Sequence, residues 1–292
     1  MNNESFSFQV GTFECVIISD GTRTYPHPVQ TFVSINAPKE LLERVLREHN
    51  INPKQWREYV SPYPSLVINT GQHRVLVDTG AGGLEPTTGK LIPNLKAQGI
   101  VPEDIDMVIL THGHPDHVGG NLDSEGKPAF PNARYIMWKD EWDFWVSEPN
   151  LAELKVDEHV KRLLVMFALR NLQPIQDRLE LVDREMEIVP GIRTIAAPGH
   201  TPGHMAVAIS SDSERLLYIS DAVLHQIHME RPDWYTAVDY APEQVMTTRR
   251  RLLDLAATEN ALVHAFHFPF PGLGYVIQKG ERWRWQPMVT TS

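Results

Sequence analysis

The run Thr111-His112-Gly113-His114-Pro115-Asp116-His117-Val118-Gly119-Gly120 decides how this chain reads. Three imidazoles and one carboxylate stand between positions 112 and 117. Each is a donor suited to a divalent transition-metal ion. Met107-Val108-Ile109-Leu110 comes just before and reads as a buried strand. The donors therefore fall at a strand end, where α/β folds commonly place their chemistry. Pro115 suits the first position of a helix, and Gly119 and Gly120 permit close backbone approach. Donors two positions apart on a tight loop can converge on one ion from two sides.

Working outward, short apolar runs predict strands over 13–19, 66–69, 75–78, 107–111, 134–137, 192–196, 205–209, 216–220 and 261–264. Amphipathic patterns predict helices over 39–49, 91–98, 138–146, 156–171 and 242–257. Strands and helices interleave throughout, which predicts an α/β protein of mixed layers. One domain over 1–292 is expected, with two additions to its core. The first, near 22–64, holds six prolines with Tyr25, Trp56, Tyr59 and Tyr63, and reads as a loop-rich cap. The second, near 147–178, is a helical insertion bounded by Pro149 and Pro174.

The 292 residues carry a net charge of −10, which argues against a nucleic-acid backbone or an anionic membrane as partner. A small-molecule substrate is the partner expected. No apolar stretch approaches the roughly 20 residues that a membrane span needs. Cys15 is the single cysteine, so any metal site must rest on imidazoles and carboxylates. It lies in an apolar run and reads as a buried hydrophobe. Met1-Asn2-Asn3-Glu4 lacks the basic and apolar regions of a secretory signal. The expected location is cytoplasmic, with a processed periplasmic form as the other arrangement.

Three further donors sit at strand ends. His200 lies in Ala197-Pro198-Gly199-His200-Thr201-Pro202-Gly203-His204, a turn after the 192–196 strand. Asp221 closes the 216–220 strand, and His267 follows the apolar run 261–266. With the opening run they make seven donors, too many for one tetrahedral ion.

The order His-x-His-x-Asp-His, then Gly-His, then Asp, then His resembles the metallo-β-lactamase superfamily of binuclear hydrolases. Asp78-Thr79-Gly80 matches that superfamily's first motif. The resemblance spans roughly Val10 to Gly274 and implies an αββα sandwich, two mixed sheets flanked by helices, with metals at one edge between the sheets. It implies that His112, His114 and His200 hold one ion, that Asp116, His117 and His267 hold the other, and that Asp221 bridges them. Asp78 would orient a ligand rather than bind metal. Two divalent ions are expected, zinc first, with manganese, iron or cobalt also suited to these donors. The implied chemistry is hydrolysis by a hydroxide shared between the ions, with Asp116 as the catalytic carboxylate. The resemblance also suggests a homodimer.

Within the superfamily, His114 disfavours the redox diiron branch and Asp221 disfavours the zinc β-lactamases. The nearest branch is that of lactonases and methyl parathion hydrolase, which shares stretches such as Asp78–Leu84 and Phe270–Gly274. Many homoserine lactone lactonases place a tyrosine three residues after the bridging aspartate; here that position is Leu224. Leu224, His225 and Phe268 are the candidate substrate-binding residues, with Phe32, Trp145 and Phe270 as further apolar candidates. The expected function is cleavage of lactones, aryl esters or organophosphotriesters. The alternatives are a thioester hydrolase of glyoxalase II type, which normally adds a basic C-terminal helical region, and a mononuclear-iron persulfide dioxygenase.

Overall fold

The computed structural model describes residues 4–289. Its first sheet runs in spatial order through β1 (Ser5–Val10), β2 (Phe13–Pro26), β3 (Glu58–Asn69), β4 (Arg74–Val77), β5 (Met107–Ile109), β6 (Arg134–Trp138) and β7 (Leu179–Val182). The first four strands pair antiparallel and the rest parallel. The second sheet contains β8 (Glu187–Val189), β9 (Ile192–Ala196), β10 (Met205–Ser211), β11 (Glu214–Tyr218), β12 (Leu262–His264), β13 (Leu273–Lys279) and β14 (Arg282–Pro287). It is antiparallel except where β11 meets β12.

Side-chain alternation assembles the layers. Val75, Val77, Met107, Ile109 and Ile136 point from the first sheet into a core shared with Ile192, Val207, Ile209, Leu216 and Tyr218 of the second. The intervening Leu76, Val108, Tyr135 and Met137 point the other way. They meet α2 (Leu91–Ala97), Trp145 of α4 (Lys139–Val146), and Ala168 and Leu172 of α5 (Glu158–Leu172). Behind the second sheet, Leu217, Val263 and Val276 pack on Leu252, Leu253 and Ala256 of α6 (Pro242–Thr258). The period of two thus buries both faces of each sheet, giving the expected αββα sandwich.

The predicted helices lie within two residues of those observed. The unforeseen strands are β1, β7, β8, β13 and β14, which include all four sheet edges. Edge strands keep one polar, exposed face and so lack the continuous apolar run that marked the central ones.

The segment expected to be a loop-rich cap is more regular than its prolines suggested. Here α1 (Lys39–Glu48) sits between two long strands, β2 continuing to Pro26 and β3 beginning at Glu58. Pro62 and Pro64 are tolerated because β4 pairs only with Leu66–Asn69, which leaves that part of β3 an edge on one side. A register shift between Ser19 and Thr22 bends the ribbon. The cap is closed by Phe32, Val33, Val45 and Leu46 packed on Leu224, Ile227 and Trp234.

Candidate metal centre

Strand direction brings the seven donors to one edge. In the first sheet β4 and β5 are parallel and end just before Asp78 and His112. In the second, β9, β11 and β12 run the same way and end just before the segments carrying His200, Asp221 and His267. The Met205 amide donates to the Thr111 carbonyl at 3.0 Å, tying the two sheet edges together. The short helix α3 (Pro115–Val118) opens at Pro115 and turns Asp116 and His117 inward. It packs backbone to backbone on the 78–82 loop, where the His117 carbonyl accepts from the Thr79 amide at 2.8 Å.

Two groups of buried donors result. His112, His114, His200 and Asp221 offer atoms within 4.8 Å of one another, and so do Asp116, His117 and His267. In the first group His114 Nδ1 lies 3.1 Å from His112 Nε2 and 3.0 Å from His200 Nε2. In the second, Asp116 Oδ2 lies 3.9 Å from His117 Nε2 and 3.7 Å from His267 Nε2. Asp221 stands between them. Its Oδ2 is 3.3 Å from His200 Nε2 and 3.1 Å from His267 Nε2, while Oδ1 is 3.3 Å from His117 Nε2.

The far nitrogens of three imidazoles are also held. Asp78 Oδ2 meets His117 Nδ1 at 2.8 Å, Asp239 Oδ1 meets His200 Nδ1 at 3.0 Å, and Ser61 Oγ meets His267 Nδ1 at 2.7 Å. Such contacts fix the tautomer and the ring plane, so each Nε2 faces the centre. Asp78 also accepts from the Thr111 amide and hydroxyl and from Tyr218. Ser61, Asp239, His204 and Glu141 were not anticipated. His204 Nε2 accepts from the Asp221 amide at 3.2 Å. Glu141 accepts from the amides of Gly113 and Gly203, from Thr201 and from Trp145, clamping the two ligand loops together.

The electrostatics call for a cation. Burial pushes His117 down, but the carboxylates of Asp221, Asp78 and Asp116 outweigh it and hold the ring well above its ordinary value. Burial pushes Asp221 up, yet His267 and His117 hold it well below the usual carboxylate range. His117 Nε2 and Asp221 Oδ1 are buried and, although 3.3 Å apart, neither has an aligned hydrogen-bond partner among the described residues. Orphaned buried groups are costly, and a divalent ion between the donor sets supplies the missing partner to both. The two His/Asp clusters therefore fit a dimetal site.

A cavity of about 430 Å³ opens over the centre, with His114, Asp116, His200, Asp221 and His267 on its floor. Leu224 lines it, together with Phe32, Leu84, Val160 and Leu164. The structure corrects two of the substrate-binding candidates. His225 and Phe268 line a separate pocket with Tyr59, Phe270 and Trp285. The chain turns after Asp221 so that Leu224 and His225 face opposite ways: His225 packs on Trp56 and Tyr59, and Phe268 meets Trp285 edge-on. Trp145 is likewise absent from the cavity, buried beneath His114 with its indole N–H on Glu141.

The family model of the metallo-β-lactamase superfamily matches residues 59–267. An N-acyl homoserine lactonase of Bacillus thuringiensis is 25% identical over 227 residues, covering 70% of this chain and 81% of that protein. Among solved structures, the dizinc quorum-quenching lactonase AidC, in complex with the product N-hexanoyl-L-homoserine, superposes with a TM-score of 0.90 at 27% identity over 100% of both chains. The β-lactamase-superfamily hydrolase AbOPH gives 0.87 at 26% identity over 99% of both. With this fold, these two donor clusters and these relatives, the chain belongs to the metallo-β-lactamase superfamily, as a metal-dependent hydrolase of its lactonase-like branch.

Proposed function

We propose that the chain is a dimetal lactonase acting on N-acyl homoserine lactones or close analogues. In this reading His112, His114 and His200 hold one ion, Asp116, His117 and His267 the other, and Asp221 both, with zinc the first choice of metal. One observation carries it: a single buried carboxylate, Asp221, reaches both donor sets. When bound, two ions supply a water acidified toward neutrality and a Lewis acid for the carbonyl oxygen.

The chain's own residues do the rest. Asp116 faces the cavity from its floor, where its carboxylate takes a proton from the attacking water and passes it to the departing ring oxygen. Asp78, Asp239 and Ser61 keep the imidazole planes fixed, so little rearrangement accompanies the reaction. Phe32, Leu84, Val160, Leu164 and Leu224 give an apolar wall for an acyl chain and keep bulk water from the reacting group. The apolar Leu224 agrees with the methyl parathion hydrolase pattern, so aryl esters and organophosphotriesters belong among the substrates proposed. A mononuclear-iron persulfide dioxygenase would leave one donor set without a use.

The test is a panel of N-acyl homoserine lactones, aryl esters and phosphotriesters on metal-reconstituted protein. Ring opening of acyl lactones with a kcat/KM above about 10⁴ M⁻¹s⁻¹ is expected. Two bound ions with no turnover of any member would sink the reading.

A further inference from the structure

The wall of the cavity formed by the β2–β3 ribbon carries a phenol whose hydrogen has no protein acceptor among the described residues. Arg23 pairs with Ser61 across the ribbon and Tyr25 with Tyr59, so these four and Tyr63 share the face turned toward the metal centre. Tyr63 is wholly buried, and its hydroxyl lies 2.5 Å from that of Tyr25. No second partner for either hydroxyl is found among the described residues. A buried hydroxyl with one neighbour must spend its hydrogen there. Tyr63 therefore donates to Tyr25, and Tyr25, half-buried and lining the cavity, keeps its own hydrogen free.

Tyr25 is also braced. The Arg23 guanidinium lies 4.9 Å from its ring centroid and is anchored by Glu85 at 3.1 Å. Phe32 packs edge-on against the Tyr25 ring at 5.0 Å and against the His267 ring at 5.4 Å, so one aromatic spans the distance from phenol to metal ligand. Burial and the nearby Asp116 charge resist loss of the phenolic proton, so the group remains a donor at neutral pH. Tyr63 donating from behind and Arg23 alongside strengthen that donor.

We propose that Tyr25 is a catalytic residue that donates a hydrogen bond to the scissile carbonyl oxygen of an acyl lactone or ester as negative charge develops there, with Tyr63 as its positioning residue. No proton is transferred; the donor adds to the stabilisation that the metals provide. This rests on the lactonase reading above.

The test uses full-length, metal-loaded protein. Tyr25→Phe is expected to retain two ions and to lower kcat about 100-fold with KM within about twofold. Its melting temperature should fall because the buried Tyr63 hydroxyl loses its partner, and Tyr25→Phe/Tyr63→Phe should recover it. Across aryl esters of graded leaving-group basicity the loss should be uniform, because the donor serves the carbonyl. Tyr63→Phe should cost less, and Tyr25→Phe/Tyr63→Phe should cost no more than Tyr25→Phe alone. Binding of the uncleavable lactam analogue of N-hexanoyl homoserine lactone, by calorimetry, should change by no more than about twofold in Tyr25→Phe, because the donor acts on charge that develops in the transition state. Unchanged kcat in Tyr25→Phe overturns the assignment, as does a lactam affinity that falls as far as kcat does, or a loss that climbs steeply with leaving-group basicity. A wild-type chain that neither turns over lactones nor binds the lactam overturns both this proposal and the lactonase reading. Normal wild-type turnover with an unaffected Tyr25→Phe overturns only this one.

Discussion

At the scale of single residues, the centre depends on groups that never face the cavity. Asp239 holds His200 with one oxygen and the Thr236 amide and hydroxyl with the other. Asp239→Asn keeps the shape but removes the charge that fixes the imidazole, so zinc affinity at the first cluster is expected to fall about 10–100-fold in a chelator competition; equal affinity would refute the role. Asp20 works one loop away, accepting from the amides of Ala81, Gly82, Gly89 and Leu91. Burial outweighs those four donors and raises its carboxyl from 3.8 to about 6. The folded chain thus binds more protons than the unfolded chain between these values, and this group's contribution to stability declines as pH rises through that window. The difference in unfolding free energy between wild type and Asp20→Asn should change between about pH 4 and 6 and level off above it, spanning at most ~3 kcal/mol. A difference that is flat over the whole range would contradict this. The strand-end donors were legible in the sequence because each follows an apolar run. Their supports were not, because hydrogen bonds such as Ser61 to His267 join positions 206 apart.

At the scale of elements, α4 is the link between the two ligand loops. Glu141 gathers four donors from the 113 turn, the 201–203 turn and its own helix. Gly203 must be glycine for this contact, since a Cβ there would lie 2.1 Å from the Glu141 amide nitrogen. Gly203→Ala is expected to cost about 1–3 kcal/mol or more and to lower the metal content on purification. Gly83→Ala, whose Cβ meets nothing within 4 Å, should leave both unchanged. Thermal unfolding with elemental analysis checks the pair, and similar behaviour of the two variants would remove α4 from the account. Central strands could be read from apolar runs, whereas edge strands such as β7, with Glu180 and Leu181 exposed, could not. The ribbon of β2 and β3 was hidden by its prolines. Its extended form places Tyr59, Ser61 and Tyr63 beside His267, where the Tyr59 hydroxyl donates to the His267 carbonyl at 2.7 Å.

At the scale of the whole molecule, two sheets contribute the two halves of one centre. The first sheet carries His112, His114, Asp116 and His117, and the second carries His200, Asp221 and His267. Metal binding therefore joins the halves of the sandwich, and ions that bind only the folded chain stabilise it by mass action. The order of motifs was enough to foresee the layers and the convergence of donors. It was not enough to place the wall of the cavity over the centre, because Leu224 and His225 are adjacent in sequence yet face different pockets. The central claim is that both donor sets fill and that lactone opening needs both. Its most direct test is a zinc titration of the metal-free protein, following proton release from an N-acyl homoserine lactone. The account predicts that activity reaches its plateau at two ions per chain. A plateau at one ion, or no activity with two ions bound, would contradict it.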